Sequence, residues 1–302
     1  MKLQLKKSAL TLLLFIVLFY AFIQSLKIST VRASAAIYIR ADGSIEPQDA
    51  PIQKNGDIYT LTGNVSSEND GIQIERNNMT LDGLGYVIQG AGTAYSAGVF
   101  LVNRTNVTIV NVKVKSFSYG VLIQLSSNNT VSESYITATD WDGVKLTGSS
   151  SYNCIIANNI TDNNGNGIGF YSSSNNTIIE NNIDNNIQNG IHLFWSSNNT
   201  ICHNSFVNNG RQAYTEQSYN NVWDYGYPRG GNYWSDYDGS DLKSGIDQNV
   251  AGSDGIGDAP YIINSLNTDR YPIIPEFSSL SAPIFVIISL LAVKICKKKG
   301  IR

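Results

Sequence analysis

A short sequence unit recurs along the middle of the chain, and this repeat constrains the fold more than any other feature. Its first marker is an Asn close before a Thr-like slot that is followed by an apolar residue. The slot recurs at positions 80, 108, 130, 154, 177, 200 and 222, in steps of 28, 22, 24, 23, 23 and 22 residues. A nearly fixed period of this length is the signature of a repeat architecture, in which each unit packs against its neighbours.

The same unit carries two further strand signals. One is a glycine followed by two apolar residues in alternation, as in Gly167-Ile168-Gly169-Phe170 and at Gly71, Gly98, Gly120, Gly143 and Gly190. The other is an apolar slot six residues after the Thr slot, occupied by Val114, Ile136, Ile160, Ile183 and Phe206. No segment of the unit shows a 3.6-residue period, and the Leu-rich frame of leucine-rich repeats is missing. Three short strands cannot bury their apolar side chains alone, so the pattern predicts an all-β parallel β-helix with one coil per unit.

The many asparagines of the repeat are interpreted as structural. Turn Asn tolerates left-handed backbone geometry, and identical side chains stacked coil on coil can form a hydrogen-bonded ladder. The residues assigned to such ladders are Asn158, Asn159, Asn163, Asn164, Asn181, Asn182, Asn185 and Asn186. Glycosylation sequons begin at Asn64, Asn78, Asn103, Asn106, Asn128, Asn159, Asn175 and Asn198. Those within a ladder are expected to be poor acceptors, because a glycan needs an exposed Asn.

Composition and the two ends indicate an exported protein. The net charge is −3 and only 15% of residues are charged, which excludes a basic nucleic-acid binder. Residues 1–35 combine an early Lys cluster, an apolar run and Ala33-Ser34-Ala35, which is typical of a signal peptide; an uncleaved signal anchor is the alternative. Residues 275–302 contain a second apolar run followed by Lys294 and further basic residues, which predicts a C-terminal membrane helix with its tail inside.

These signals divide the chain into five parts. Residues 1–35 are the signal peptide or anchor, 36–69 an N-terminal cap, and 70–224 the β-helix repeats. Residues 225–274 form a block rich in Asp and Gly, and 275–302 the C-terminal membrane anchor. The cap is predicted because the end coil of a β-helix otherwise exposes an open edge. The whole is expected at the cell surface, held to the membrane through its C-terminal helix.

The block after the last repeat carries a family resemblance. It reads Gly231-Asn232-Tyr233-Trp234-Ser235-Asp236-Tyr237, then Asp254-Gly255-Ile256-Gly257-Asp258, then Asp269-Arg270-Tyr271-Pro272. With the Asn-Asn-Thr-Ile unit, it resembles the NosD-like right-handed β-helix family, within the wider pectin-lyase-like group of carbohydrate-binding proteins and sugar hydrolases. The resemblance covers residues 36–274. It implies a right-handed coil and a periplasmic protein linked to copper supply for nitrous-oxide reductase. Residues 275–279 also resemble the motif that precedes C-terminal anchors in archaeal surface proteins.

Copper binding is not expected from the residues themselves. The soft or borderline ligands of the exported part are Met79, Cys154, His192, Cys202 and His203. A copper site needs such ligands to converge. Adjacent residues of a strand face opposite sides, which separates Cys202 from His203, and Cys154 lies two coils away. Two cysteines also give no disulfide framework.

Catalysis by carboxylates has weak candidates in Asp140, Asp142 and Lys145, which lie around one coil. Acid–base hydrolysis of sugars needs paired carboxylates. The slot of Asp142 is occupied by Asn166 and Asn189 in the next two coils, so no second carboxylate stacks on it. A solvated turn is the favoured interpretation of Asp140 and Asp142, and a polysaccharide hydrolase or lyase remains the alternative function by fold analogy.

A calcium site is the metal hypothesis for the C-terminal block. Its candidate oxygen ligands are Asp236, Asp238, Asp241, Asp254 and Asp258. Asp254-Gly255-Ile256-Gly257-Asp258 has the acidic, glycine-bent character of calcium loops, but the bidentate Glu of an EF-hand is missing. A capping loop without metal is the equal alternative.

Glycan binding is the function that the repeat register favours. Residues two and four positions after the repeat glycine point outward. The outward columns bring together Tyr171, His192, Phe194, Trp195, Tyr214 and Glu216, with Tyr171 and Phe194 at the strand spacing of about 4.8 Å. Exposed aromatic side chains with a polar rim mark binding sites, although packing beneath the C-terminal block is an alternative. The sequence thus predicts a non-catalytic protein that binds or scaffolds surface polysaccharide. The alternatives are a hydrolase or lyase and a copper-delivery accessory.

Overall fold

The computed structural model describes residues 36–274, which form a parallel β-helix of strands and turns. No helix within these residues is long and apolar enough to cross a bilayer. The prediction of an all-β parallel β-helix is confirmed. The predicted signal segment 1–35 and C-terminal anchor 275–302 lie outside the described residues.

The strands are short, between two and six residues each. In chain order they are β1 (Ile37–Ile39), β2 (Ile45–Glu46), β3 (Ile52–Asn55), β4 (Ile58–Leu61), β5 (Val65–Ser67), β6 (Ile72–Ile74), β7 (Met79–Asp82), β8 (Val87–Gly90), β9 (Ala97–Val102), β10 (Val107–Val110), β11 (Lys113–Lys115), β12 (Tyr119–Gln124), β13 (Thr130–Ser132), β14 (Tyr135–Thr137), β15 (Val144–Thr147), β16 (Cys154–Ile156), β17 (Asn159–Thr161), β18 (Ile168–Tyr171), β19 (Thr177–Ile179), β20 (Asn182–Asp184), β21 (Asn189–Phe194), β22 (Thr200–Cys202), β23 (Ser205–Val207), β24 (Arg211–Glu216), β25 (Tyr233–Trp234), β26 (Lys243–Ser244), β27 (Val250–Ala251), β28 (Tyr261–Asn264) and β29 (Asn267–Asp269).

Three long sheets run the length of the β-helix. Sheet 1 has nine strands in the order β2-β1-β6-β9-β12-β15-β18-β21-β24. Sheet 2 has eight, β22-β19-β16-β13-β10-β7-β4-β3, and sheet 3 has eight, β25-β23-β20-β17-β14-β11-β8-β5. From β4 to β24, consecutive strands therefore lie in different sheets, and from β7 onward each of them pairs in parallel with the strand three places earlier in the chain. Strands β6 to β23 make six coils, and β1, β4 and β5 supply one strand to each sheet as a seventh.

The repeat slots are the register positions of the sheets. On sheet 2 the Thr slot pairs from coil to coil through Thr80, Thr108, Thr130, Cys154, Thr177 and Thr200, and an isolated bridge continues it to Val222. The sequence period thus gives the register directly, because each coil must return its apolar residues to the same interior column.

The interior is a continuous apolar column, and it leaves no room beside the repeat glycines. A Cβ added to Gly167 would lie 2.6 Å from Ile183 Cγ2 and 2.7 Å from the carbonyl oxygen of Gly190, the equivalent glycine of the next coil. Contacts this close are not compatible with any larger residue in the same backbone position. The glycine marker therefore records the close approach of neighbouring coils.

Buried asparagines form ladders at the corners between the sheets. In one, each side-chain amide donates to the side-chain oxygen of the next coil, through Asn129, Asn153, Asn176, Asn199 and Asn221. A second runs through Asn158, Asn181, Asn204 and Asn232, and a third through Asn163, Asn186 and Asn209. These amides also bond backbone carbonyls, so they satisfy corner groups that the sheets leave unpaired.

The ladder interpretation holds for only part of the predicted set. Asn164 and Asn185 are exposed, whereas Asn182, although exposed, donates to the half-buried Asn159 of the preceding coil, so these two do stack as predicted. The sequons follow the same division. Asn128, Asn175 and Asn198 are exposed and have positive φ, whereas the ladder is built by the asparagine that follows each of them. The sequon and the ladder therefore use neighbouring residues.

Residues 225–274 close the C-terminal end of the β-helix. Strand β25 joins sheet 3, and Trp234 stacks on Phe206 of the last coil with ring centroids 4.6 Å apart. Tyr261 stacks on the other face of Trp234 at 4.2 Å. At the opposite end, β2 and β3 pair antiparallel with β1 and β4, which ends sheets 1 and 2.

Candidate functional site

The outward face of sheet 1 presents two columns of side chains in the predicted alignment. The first pairs Gln73, Phe100, Leu122, Lys145, Gly169, His192 and Tyr214 from strand to strand. The second pairs Val102, Gln124, Thr147, Tyr171, Phe194 and Glu216. These residues alternate with buried ones along each strand, which leaves them on the outer surface.

Five rings on this face touch one another. The aromatic cluster consists of Tyr171, His192, Phe194, Trp195 and Tyr214. His192 is central, with its ring centroid 5.6 Å from Tyr171 and 5.1 Å from Tyr214. Trp195, at the corner after β21, is 55% exposed, and the other four are half-buried. The sequence-predicted residues therefore do come together, with Glu216 exposed beside Phe194.

The rings of the aromatic cluster are tilted rather than stacked. Tyr171 and Phe194 are 6.4 Å apart with an interplanar angle of 56°, wider than the strand spacing of about 4.8 Å. The described hydrogen bonds between the C-terminal block and β24 involve Gln212 and Thr215, and none of them reaches Tyr214. This cluster thus forms an uneven apolar surface with a polar edge.

A gap in the first column lies next to the aromatic cluster. Gly169 stands between Lys145 and His192, and a Cβ there would lie 2.7 Å from Asp142 Oδ2 and 2.9 Å from Tyr171 Cε2. The space that a side chain at position 169 would need is therefore taken by Asp142 and Tyr171, and a cleft of about 200 Å³ lies beside these two residues. Its walls include Tyr119, Trp141, Asp142, Lys145, Asn166 and Tyr171. We call this cleft the Gly169 notch.

Lys145 is held between two aromatic rings at the notch. Its ammonium lies 4.6 Å from the ring centre of Tyr119 and 4.5 Å from that of Tyr171, and Nζ donates to Tyr119 Oη at 3.2 Å. None of the ion pairs found within residues 36–274 involves Lys145. Burial raises the pKa of Tyr119 to about 12 and also raises that of Tyr171, so both hydroxyls stay protonated at neutral pH.

Asp142 is buried beside Lys145, so its predicted place on a solvated turn is wrong. Only 4% of the residue is exposed, and Oδ1 accepts hydrogen bonds from the backbone N–H and the side-chain amide of Asn166. Burial raises the pKa of the Asp142 carboxyl, although the bonds from Asn166 and the charge of Lys145 oppose the rise. Asp140 is exposed, as predicted. Asn166 in turn accepts from Asn189, so the column above Asp142 continues with amides.

His192 lies beside the notch, with its ring against that of Tyr171. Burial lowers the pKa of its imidazole, with Asp142 and Glu216 acting in the opposite direction. Its Nε2 is buried and has no hydrogen-bond partner within residues 36–274. Burial therefore favours the neutral form of this imidazole.

The acidic residues proposed for calcium each bind a separate set of loop donors. Asp258 accepts from the backbone N–H groups of Leu242 and Lys243, and Asp241 from those of Asp254 and Gly255. Asp254 accepts from three donors within its loop, Asp236 accepts from the Tyr261 hydroxyl, and Asp238 is exposed. In the described part of the chain, no three acidic, His or Cys side chains are grouped as metal ligands. Calcium binding by this block stays a prediction.

The residues that could bind copper lie on different faces of the β-helix. Met79 is buried in the interior, while Cys154 and Cys202 are buried with Ile156 and Ile179 on the outer side of sheet 2. His192 belongs to sheet 1, and the His203 ring packs on Tyr225 with Nε2 bonded to the Arg229 carbonyl. Copper needs several soft ligands at one point, so this arrangement in residues 36–274 does not fit a copper site.

The notch and several of the residues that line it were not predicted from the sequence. Tyr119, Trp141 and Asn166 were not singled out, because each lies just outside the two outward columns. The signal was Gly169, the one glycine in a column that otherwise carries larger side chains. A glycine inside a strand often marks a site where another group approaches closely.

Comparisons with known proteins give one family and several structures of similar fold. Residues 27–239 match the family described as Periplasmic copper-binding protein (NosD). No curated protein matches the chain in sequence. The solved structures include the Agl-KA catalytic domain at 18% identity with a TM-score of 0.40, covering 57% of this chain and 38% of that one. The periplasmic alginate epimerase AlgG (D317A mutant) is 12% identical with a TM-score of 0.36, covering 58% and 65%. Pectate lyase Pel9A is 15% identical with a TM-score of 0.35, covering 58% and 57%. This chain therefore spans less than two thirds of each of these three structures.

Proposed function

The chain belongs to the NosD family of periplasmic proteins, and from this we propose that it is an exported β-helix that holds polysaccharide against the outer face of sheet 1. The observation that carries the proposal is the aromatic cluster, in which five rings from three adjacent strands and one corner form a continuous, partly exposed surface. Sugar rings carry apolar C–H faces that pack on such surfaces, and the polar edge around Glu216 offers hydrogen bonds.

The proposed mode of binding is extended and non-catalytic. Strands of sheet 1 repeat at about 4.8 Å, so a chain of sugars lying across them meets a new pair of outward residues at each coil. Each contact is small, because the rings are already half-buried. We therefore expect affinity to be weak for single sugars and to rise with the length of the polysaccharide.

Removing two rings tests this function. The double variant Phe194→Ala, Trp195→Ala should weaken polysaccharide binding about thirtyfold, since each ring loses roughly 1 kcal/mol of apolar contact. Affinity is measured by isothermal titration calorimetry against a panel of bacterial and plant polysaccharides. The matched control, Tyr86→Ala with Tyr135→Ala, removes two rings of 38% and 39% exposure from outside the aromatic cluster and should bind like the parent. A folded cluster variant with unchanged affinity would place the glycan elsewhere.

We also propose that residues 275–302 tether the protein to the membrane, which would display the β-helix at the cell surface. The support is the sequence alone: an apolar run followed by a Lys cluster. The proposal fits an exported protein, because such a helix stops translocation and leaves the preceding domain outside.

A second candidate function is polysaccharide elimination, favoured by the burial of Asp142 next to Lys145. A lyase needs an acid–base group and a nearby cation, whereas most glycoside hydrolases need two carboxylates, and the column above Asp142 carries amides. If the protein is a lyase, incubation with acidic polysaccharide yields products with an unsaturated, ultraviolet-absorbing sugar. Asp142→Asn should abolish them, and Asp140→Asn, at the exposed neighbour, should not. Absence of such products from the parent protein would exclude this candidate.

A further inference from the structure

We propose that the Gly169 notch binds the carboxylate group of an acidic sugar, so that the polysaccharide held on sheet 1 is a uronic-acid polymer. The inference rests on the proposed function, which supplies the polysaccharide, and adds the chemical class of its sugars. The juxtaposition that carries it is an ammonium held between two rings, a buried carboxyl group and the amide of Asn166, all lining one cleft beside the aromatic cluster.

The ammonium of Lys145 is fixed in place and has bonding capacity to spare. Tyr119 and Tyr171 hold it from two sides, which limits the flexibility that usually weakens surface lysines. A lysine has three donors, and the described structure uses one of them, on Tyr119 Oη. With no carboxylate paired to it within residues 36–274, Lys145 offers its charge to a ligand.

The other titratable groups of the notch do not cancel this charge. Burial favours the neutral form of both Asp142 and His192. Burial raises the pKa values of Tyr119 and Tyr171, so both hydroxyls remain protonated at neutral pH. Farther out, Arg211 covers Tyr214 and Glu216 lies beyond His192, so these two opposite charges balance across β24. Lys145 is therefore the cation that an anionic group would meet in the notch.

The position of the notch matches the aromatic cluster. Tyr171 belongs to both, since its ring contacts Phe194 and His192 on one side and the Lys145 ammonium on the other. A sugar resting on the cluster can thus direct one substituent into a cleft of about 200 Å³, room for about six waters at ~30 Å³ each. A carboxylate on a pyranose ring is a substituent of this kind.

The test compares polymers that differ only in charge. Polygalacturonate and polymannuronate, each as the free acid and as its methyl ester, are titrated into the full-length protein by calorimetry. The parent should bind the acids at least tenfold more tightly than the esters. Lys145→Met, which keeps the side-chain length and removes the charge, should abolish that preference while still binding the esters. Lys113→Met, at an exposed lysine of sheet 3, should behave like the parent.

Further outcomes separate the two proposals. Equal binding of acid and ester, with both weakened by Phe194→Ala, Trp195→Ala, would overturn the notch and leave polysaccharide binding intact. No binding of any polymer, including a neutral panel, would remove the proposed function and the notch with it. A sulfated dextran that competes as well as the polyuronates would overturn the assignment to a carboxylate.

The pH dependence of the affinity gives an independent test of the notch. Ionisation of Asp142 would place a carboxylate next to Lys145, so affinity for the free acids should fall as pH rises, and protonation of His192 at low pH acts in the same direction. Asp142→Asn keeps the side-chain volume and should retain affinity at the higher pH values. If the parent and Asp142→Asn show the same pH profile, Asp142 does not face the bound anion and the proposed notch geometry is wrong.

Discussion

Neighbouring asparagines in this protein have opposite roles, and their environment decides which. Asn181 is buried, and its side chain bonds the carbonyls of Ile155 and Ile179 and continues a ladder to Asn204. Asn182, the next residue, is exposed and bonds only surface groups. An Asn repeat in the sequence therefore contains a structural residue and a surface residue side by side.

Replacing each of these two asparagines should separate the roles. Asn181→Ala should lower the free energy of unfolding by about 3 kcal/mol, because it leaves several buried backbone groups without partners. Asn182→Ala should cost less than about 0.5 kcal/mol, as is usual for an exposed position. Urea titration followed by circular dichroism measures both. Similar losses in the two variants would contradict a structural role specific to the ladder.

The two aspartates of the candidate site show where residue-level prediction ends. Asp140 and Asp142 both precede a repeat glycine and look alike in the sequence. The chain turns at Trp141, which packs its ring on Tyr95 and Tyr119 and is itself partly exposed. That turn places the Asp142 carboxyl group against Gly169, in the space that a larger residue there would need. Such a placement depends on which neighbouring space is empty, and the repeat pattern does not carry that information.

Among the elements, the strands were predictable and the closing block was not. Each strand of sheet 1 repeats its predecessor, so the outward columns followed from the spacing of the glycines. Residues 225–274 occur once, and their packing depends on individual partners such as Trp234 on Phe206. The tilt of the rings in the aromatic cluster was missed for a related reason, since register fixes where a side chain starts but not its rotamer.

Strand β29 places a buried carboxyl group at the centre of the closing block. Asp269 accepts hydrogen bonds from the Asn232 backbone, the Trp234 indole and the Tyr271 backbone. Burial raises its pKa to about 7, although those hydrogen bonds act to lower it. In the unfolded chain the pKa of an Asp carboxyl is about 3.9. The folded state thus keeps a proton that the unfolded state releases between these values. This residue's contribution to the free energy of unfolding falls as pH rises from about 4 to about 7.

Asp269→Asn should remove that pH dependence. The loss of stability relative to the parent is expected to be largest near pH 4 and smaller near pH 7. Asp224→Asn is the control of opposite sign: burial opposes ionisation there, but the bonds from Arg270 prevail and lower the pKa of the carboxyl. Its deficit should grow as pH rises to about 4 and stay nearly constant above that, because its lowered pKa lies below the unfolded value of about 3.9. Urea midpoints from about pH 2 to about pH 8 test both, and parallel pH profiles for the parent and Asp269→Asn would contradict the assignment.

For the whole molecule, the repeat was sufficient to predict the architecture. Seven Thr-like slots in nearly equal steps placed three strands in every coil, and sheet 2 pairs those slots as expected. The prediction succeeded because each coil contacts only its neighbours, so local spacing and global fold carry the same information. The site is less predictable for the same reason, since it uses the few residues that break the repeat.

Membrane attachment is the prediction that concerns the complete chain. Deleting residues 276–302 should release the protein into the medium if the N-terminal signal is cleaved, because the only remaining apolar run would have been removed. Fractionation of cells expressing the full-length and shortened chains, followed by immunoblotting, measures this. The shortened chain should also retain its polysaccharide affinity. Continued retention in the membrane would identify the N-terminal segment as an uncleaved anchor.

The closing block also covers the C-terminal end of the β-helix, where two asparagine ladders end. Two asparagine ladders end on it: Asn221 donates to Asn267, and the Asn232 backbone donates to Asp269. Without these two partners the last coil would offer a row of unmet donors and open strand edges, matched in spacing to the first coil of any other copy. Molecules could then add head to tail without limit, since such a contact does not close on itself. Asn267 and Asp269 are therefore expected to block head-to-tail addition at the C-terminal end of the β-helix.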